Sequence, residues 1–307
     1  MVIPIVRHMR IVTLAAAMVA MLGNAARAQQ NMQDVTIKIV DVAPGIYMLT
    51  GQGGNIGLSV GEDDAFVIDD QYAPLTDKIL AAVARVTDKP VKFVVNTHWH
   101  GDHTGGNENM DKAGAIIVAH QNVRKQMSVE HFNAVFDSKT PASPAAALPV
   151  ITFTDSLSFH WNGDEMDIVH VAPAHTDGDA IIHFKKANVI HTGDVYFNGM
   201  YPFIDVSTGG NIDGMIEAAD LVLAISNSAT KIIPGHGPLS NRVELRQYRS
   251  MLVSVRDRVN ELIAHGASRD AVIAAMPTQD LDRKWGNGFL KPDVFVGIVF
   301  DGMTQKQ

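Results

Sequence analysis

His98-Trp99-His100-Gly101-Asp102-His103 is the stretch that decides how this 307-residue chain is read. Four side chains able to bind a metal fall within six positions, directly after the apolar run Val91–Asn96. On an extended chain residues i and i+2 point the same way, so His98 and His100 can reach one metal ion together. Gly101 lets the chain turn, which brings Asp102 and His103 toward a second centre. Imidazole and carboxylate in this mixture suit zinc. A loop that is merely polar and rich in histidine has no reason to space four donors in this way.

Outward from this run, apolar stretches of strand length alternate with helical ones. Val35–Val40, Ile46–Leu49, Ile56–Val60 and Ala65–Ile68 predict four short strands separated by Gly and Asp turns. A helix is predicted from Pro74 to about Val86, strands at Val91–Asn96 and Ile116–His120, and a helix from there to about Phe136. Residues 138–149 hold three prolines among small residues and read as a linker. The second half predicts strands at Ile151–Phe153, Leu157–Trp161, Met166–Val171, Ala180–Phe184, Val189–His191 and Lys231–Ile233, with helices over Ile212–Ile225 and Ser240–His265. Periodicity supports α plus β and nothing finer.

Composition bounds the function. Hydrophobic residues make up 46% and charged residues 19%, an ordinary globular mixture with material for a core. Arg7, His8 and Arg10, the apolar run Ile11–Leu22 and the cleavage signal Ala26-Arg27-Ala28 make residues 1–28 a secretory signal peptide. The apolar run is shorter than the roughly 20 residues of a membrane span. The mature chain, 29–307, is therefore expected to be periplasmic or secreted, with no membrane contact after cleavage. Losing Arg7, Arg10 and Arg27 leaves 22 basic residues against 33 acidic ones, so the net charge goes from −8 to −11. Such a surface repels phosphate backbones and disfavours nucleic-acid partners. The chain has no cysteine, which excludes disulfides and thiolate ligands. Nothing signals an obligate protein partner; a small-molecule substrate is the expected one.

The other histidines divide by setting. His175 lies in Ala174-His175-Thr176-Asp177-Gly178-Asp179, His236 in Pro234-Gly235-His236-Gly237, and Asp194 in His191-Thr192-Gly193-Asp194. All three stand at predicted strand ends, where sites gather. His120, His131, His160, His170, His183, His191 and His265 lack that setting and read as surface or satisfied core histidines.

From about Val35 to Leu262 these residues resemble the metallo-β-lactamase superfamily, whose pattern is an Asp at a strand end, HxHxDH, a His, an Asp and a final His. The resemblance implies an αβ/βα fold: a four-layer sandwich of two mixed β-sheets with helices outside. It also implies one metal on His98, His100 and His175, and another on Asp102, His103 and His236, with Asp194 bridging. Asp69 or Asp70 would stand behind a ligand and orient it. Two zinc ions so held would share a hydroxide that attacks a polarised carbonyl, with Asp102 orienting it and passing a proton to the leaving atom.

The resemblance has gaps. Members with a Cys ligand carry it where this chain has Asp194, and place a Lys where it has Phe197. Asn211 resembles a substrate-contacting Asn but also suits a helix cap. Gly51-Gln52-Gly53-Gly54-Asn55 reads as a mobile flap or a plain hairpin turn, and the run Tyr196–Phe203 as a pocket wall or core. Trp99 faces either cavity or core. The reading placed first is a β-lactamase-like opening of a cyclic amide, since β-lactams occur outside the cytoplasm. The alternatives are a lactone, ester or thioester hydrolase, a sulfur dioxygenase holding one iron on the same ligands, or a metal-binding protein without catalysis.

Overall fold

The computed structural model describes residues 32–305, so the signal-peptide reading of residues 1–28 lies outside the described residues. The chain divides into Met1–Thr36 and Ile37–Gln307, and the fold lies in the second unit. Strands β1 (Lys38–Ala43), β2 (Ile46–Thr50), β3 (Ile56–Ser59), β4 (Ala65–Ile68), β5 (Val91–Asn96) and β6 (Ile116–His120) lie side by side in that order. β7 (His131–Asn133) and β8 (Ser138–Thr140) form a separate hairpin, and β9 (Ile151–Phe153) returns to the edge at β6. The second sheet runs β10 (Ser156–Trp161), β11 (Asp164–His170), β12 (Ala180–Phe184), β13 (Val189–His191), β14 (Lys231–Ile233) and β15 (Ser240–Asn241). Both sheets are mixed. β4, β5, β6 and β9 are parallel, as are β13 and β14, while the remaining neighbours are antiparallel.

Strand alternation decides which faces meet. Phe66 and Ile68 of β4, Val95 of β5 and Val118 of β6 share one buried cluster with Ile168, Ile182, Phe184 and Ile233 of the second sheet. The two sheets therefore pack face to face. The intervening residues Ile181, Ile190 and Ile232 point the other way, against the helices Ile212–Ile225, Arg242–Ala264, Arg269–Ala274 and Pro292–Thr304. The helices Asn107–Lys112 and Gln121–Met127 contact β6 of the first sheet. The order is helices, sheet, sheet, helices, as the resemblance implies. Among the described residues no helix is long and apolar enough to cross a membrane.

Three stretches differ from the sequence reading. The first strand is Lys38–Ala43 rather than Val35–Val40, because its partner β2 ends at Thr50, opposite Lys38, where the Gly51 loop begins. The helix expected to reach Phe136 stops at Met127, and the hairpin β7–β8 follows. Its turn is made by Asn133, whose Oδ1 accepts from the N–H groups of Val135 and Phe136 at 3.0 and 3.2 Å. The hairpin's second strand occupies the start of the expected linker. Beyond residue 265, where pattern alone assigned nothing, Arg269–Ala274, Asp282–Trp285 and Pro292–Thr304 are helical. The last of these buries Phe295, Val296, Ile298 and Val299 in the outer core.

Phe184 is fully buried between the sheets. Phe184→Ala should destabilise the protein by about 3–5 kcal/mol, measured as a shift in the urea midpoint at fixed metal concentration. A change below about 1 kcal/mol would mean that the sheets do not depend on this contact.

Candidate metal centre

Every candidate ligand leaves the frame near the end of a strand. β5 ends at Asn96, and Thr97, His98, Trp99 and His100 follow before the one-turn helix Gly101–Thr104. Asp69 follows β4, Asp194 sits in the turn Gly193–Val195 after β13, and His236 follows β14. β4 and β5 are parallel, as are β13 and β14, so their carboxyl ends open on one side, the usual place for a site in such sheets. His175 joins them from the turn between β11 and β12. Close approach to the site needs glycine, as Gly193 and Gly54 show. Gly193 has φ +51°, and a Cβ there would lie 2.6 Å from Thr97 Cβ; a Cβ on Gly54 would overlap the His103 ring.

Hydrogen bonds fix which nitrogen of each imidazole faces inward. Thr97 Oγ1 donates to Asp69 Oδ2 at 2.8 Å, so it accepts from His98 Nδ1 at 3.0 Å. His98 Nε2 is left buried and without a hydrogen-bond partner, 3.9 Å from Asp194 Oδ2. His100 donates through Nε2 to Asp205 Oδ2 at 3.1 Å, and His175 through Nδ1 to the Phe203 carbonyl at 2.8 Å. Their remaining nitrogens, His100 Nδ1 and His175 Nε2, face each other at 2.8 Å. Two lone pairs at that distance repel, and a shared cation turns the contact favourable. His103 donates through Nδ1 to Asp69 Oδ2 at 2.7 Å. Its Nε2 lies 3.1 Å from Asp194 Oδ1, 3.4 Å from His236 Nε2 and 3.6 Å from Asp102 Oδ2. Asp194 Oδ2 is 3.5 Å from His175 Nε2 and 3.3 Å from His236 Nε2, so this one carboxylate reaches both halves.

Among the described residues, three groups can each hold a metal ion: His98, His100 and His175; His98, His103 and Asp194; and Asp102, His103 and His236. In each, the donor atoms lie within 4.8 Å of one another. Buried lone pairs turned inward beside two carboxylates fit a cation on chemical grounds. Protonation follows the same division. Burial holds His98 well below the usual histidine range and lowers His175 to about 4. Burial also opposes charge on His103 and His236, but the carboxylates outweigh it. Asp194, Asp102 and Asp69 push His103 well above its usual value, and Asp194 and Asp102 bring His236 to about 9. Burial works against ionisation of Asp102 and Asp194 too, yet the histidines hold Asp102 near 2 and Asp194 well below the carboxylate range.

The seven expected ligands are thus brought together. Of the two aspartates expected behind them, only Asp69 touches a candidate ligand's side chain. Asp70 instead accepts from the Gly106 N–H at 2.9 Å, and burial pushes its carboxyl well up. Trp99 lines a cavity of about 780 Å³ beside His100, Asp102, His175, Asp194 and His236. Phe197 and Asn211 do not line it, contrary to the pocket reading. Phe197 is buried and stacks on the His236 ring at 5.1 Å, behind the centre. Asn211 caps the helix Ile212–Ile225, accepting from the Gly214 N–H at 2.8 Å while its Nδ2 donates to the Pro173 carbonyl at 2.9 Å. Of the run Tyr196–Phe203, Met200 and Phe203 reach the cavity, whereas Tyr196 and Tyr201 are core.

Sequence reasoning passed over three residues. Asp205, two residues past the run Tyr196–Phe203, orients His100. His131, taken for a surface or core histidine, lines the cavity with its ring 4.4 Å from Trp99. Asn55, at the end of the expected flap, holds the turn carrying His236. Its Nδ2 donates to the carbonyls of Pro234 and Gly237 at 2.9 and 2.8 Å, and its N–H to that of Gly235 at 2.7 Å. That end of the loop is pinned, while Gly51, Gln52 and Gly53 line the cavity.

Asp69→Ala should weaken metal binding by about 10–100-fold without removing a ligand, read by competition with a chromophoric chelator. Asp70→Asn keeps the acceptor for Gly106 and should bind metal like the wild type. Equal losses from both would show that the buried pair acts through the fold alone.

The comparisons with known proteins agree with this geometry. The metallo-beta-lactamase superfamily profile matches residues 49–249. The chain is 25% identical over 252 residues to the beta-lactamase-like protein 2 homolog of Caenorhabditis elegans, covering 80% of this chain and 71% of the relative. It is 24% identical over 215 residues to the human acyl-coenzyme A thioesterase MBLAC2, covering 61% of this chain and 74% of that one. Among solved structures, the sec-alkylsulfatase Pisa1 from Pseudomonas sp. superposes with a TM-score of 0.67 at 19% identity. That likeness covers 90% of this chain and 51% of the sulfatase, and it speaks for the fold alone. With the profile matched across most of its length, the chain belongs to the metallo-beta-lactamase superfamily.

Proposed function

We propose that the chain is an exported dinuclear zinc hydrolase acting on uncharged carbonyl substrates: a lactone or ester first, a cyclic amide second. The observation that carries the reading is the set of buried imidazole nitrogens and carboxylates turned into one cavity. Its volume of about 780 Å³ lies within the range of small-molecule sites. His98, His100 and His175 would hold one ion, Asp102, His103 and His236 the other, and Asp194 would serve both. When bound, such a pair supplies a water acidic enough to act as nucleophile near neutral pH and an electrophile for the carbonyl oxygen.

The chain's own residues do the rest. Asp102 lines the cavity and is 23% exposed, so its carboxylate is within reach of a bound water. As a carboxylate it can orient that water and carry a proton toward the leaving atom. Tyr72, on the cavity wall, is pushed up to about 12 by burial and by the charges of Asp102 and Asp194, and so stays a hydrogen-bond donor.

The cavity wall supports the order of substrates. Among the described residues lining it there is no lysine or arginine. A β-lactam carboxylate would forgo the charge-assisted hydrogen bond, about 1.5–3 kcal/mol, that such a side chain contributes. Phe197 offers no substitute, being buried behind His236.

Elemental analysis should find about two zinc ions per mature chain, and chelation should abolish turnover. One iron per chain with oxygen uptake would replace this reading with the sulfur dioxygenase. In a panel of β-lactams, neutral lactones and thioesters, the β-lactam KM should be at least tenfold above that of the lactones; a lower β-lactam KM would return the cyclic amide to first place. Mass spectrometry of protein from the native envelope should show a chain beginning at or near Gln29, and an intact Met1 would remove the export argument.

A further inference from the structure

We infer that the wall of this cavity is a subsite for a long apolar chain attached to the substrate carbonyl, closed on one side by the hairpin β7–β8. The inference rests on the hydrolase reading and names the substrate class within it.

An unbroken aromatic path leads from the candidate ligands to the hairpin. Phe203 has its ring centroid 5.8 Å from those of both His100 and His175. Phe136, from the hairpin turn, packs on Phe203 at 5.0 Å, and Trp99 lies 4.6 Å from His100 on the same wall. Phe289 stands at the other half of the centre, 6.3 Å from His236. Phe132, Phe136 and Phe289 all line the cavity, yet they are 54%, 47% and 55% exposed. Single exposed apolar side chains are ordinary; three large rings gathered on one cavity mark a surface that something apolar covers.

The chemistry of the wall commits the occupant. The hairpin's other lining groups include the neutral hydroxyls of Ser138 and Thr140, and among the described residues lining the cavity no lysine or arginine meets an anionic tail. A hydrocarbon chain, by contrast, gains from every methylene removed from water. The hairpin is also tied down: His131 donates through Nε2 to the Gln126 carbonyl at 2.8 Å, and its ring lies against Trp99. Contact with an occupant therefore needs no folding of the segment. The occupant is an uncharged lactone, ester or amide bearing an aliphatic chain of several carbons.

The test is a series of neutral lactones whose alkyl substituent grows from two to ten carbons, given to the zinc-loaded enzyme. kcat/KM should rise about fourfold per methylene until the cavity is filled. The ratio of long-chain to short-chain kcat/KM should fall at least tenfold in Phe136→Ala and in Phe132→Ala, and an ω-carboxylate on the chain should cancel the gain. Binding of 1-decanol, followed by tryptophan fluorescence, separates the two readings because it needs no turnover. If no ester, lactone or amide is cleaved but decanol binds and Phe136→Ala weakens it, the hydrolase reading fails and the subsite stands. If short-chain lactones are cleaved while kcat/KM is flat with chain length and decanol does not bind, the subsite is overturned and the hydrolase reading stands.

Discussion

Asp69 is fully buried, with φ at +62°, a left-handed conformation that aspartate tolerates better than most residues. It accepts from the Thr97 N–H and hydroxyl, both at 2.8 Å, and from His103 Nδ1 at 2.7 Å. These contacts govern both halves of the centre. The bond to His103 turns that ring's Nε2 toward Asp102, Asp194 and His236. The bond to Thr97 commits the hydroxyl proton, so the same oxygen must accept from His98 and leave His98 Nε2 bare. One carboxylate thus sets the tautomers of two imidazoles, the usual task of a group standing behind a metal ligand. Gln71, two residues on, is also left-handed at φ +56°, and its amide donates to the Gly54 carbonyl at 2.6 Å. Local strain of this kind persists only where the surroundings over-determine it, as they do here.

So many inward-facing polar atoms oppose folding unless each has a partner. The structure satisfies one nitrogen of His98, His100, His103 and His175 with an acceptor outside the centre and leaves the other facing in. The apolar sandwich has to hold this arrangement, because all of the acceptors but Thr97 come from distant parts of the chain: Asp69 from just beyond β4, Asp205 and Phe203 from the loop after β13. Phe66, Ile68 and Val95 stand immediately before Asp69 and the His98 run, and they pack against Ile182, Phe184 and Ile233 of the facing sheet. Core packing and ligand geometry are therefore set by the same strands.

That coupling explains what was legible beforehand. Each ligand follows an apolar strand, so His98, His100, Asp102, His103, Asp194 and His236 stood out from their position and not merely their identity. His175 was visible because Gly178 and Asp179 mark its turn; Asp179 accepts from the His175 and Thr176 N–H groups at 2.6 and 2.8 Å. What stayed hidden depends on long-range contact. Asn55 meets Pro234 and Gly237 across about 180 positions, and nothing near Asn55 announces them. The hairpin was misread because its first strand and the turn on Asn133 fell within the helix expected to reach Phe136, and its second strand stands just before Pro141 and Pro144, where composition said linker. Phe197 and Asn211 were assigned by position along the chain, which does not say whether a side chain faces the cavity or the core.

The residues of the proposed chain subsite come from elements inserted around the metal frame. Phe132 and Phe136 lie on a hairpin interposed between β6 and β9, and Phe289 lies between the helices Asp282–Trp285 and Pro292–Thr304. Neither segment carries a candidate ligand. Substitutions there can reshape the wall without disturbing Asp69, Thr97 or the strands that hold the donors, so reaction type and substrate choice are physically separable in this fold. Trp99, set between His98 and His100, is one exception and Phe203 is the other. Its carbonyl fixes the tautomer of His175, while its ring forms the first step of the apolar path. Because the carbonyl belongs to the backbone, the ring can vary and the hydrogen bond remains, and even at that shared residue the two roles fall on different atoms.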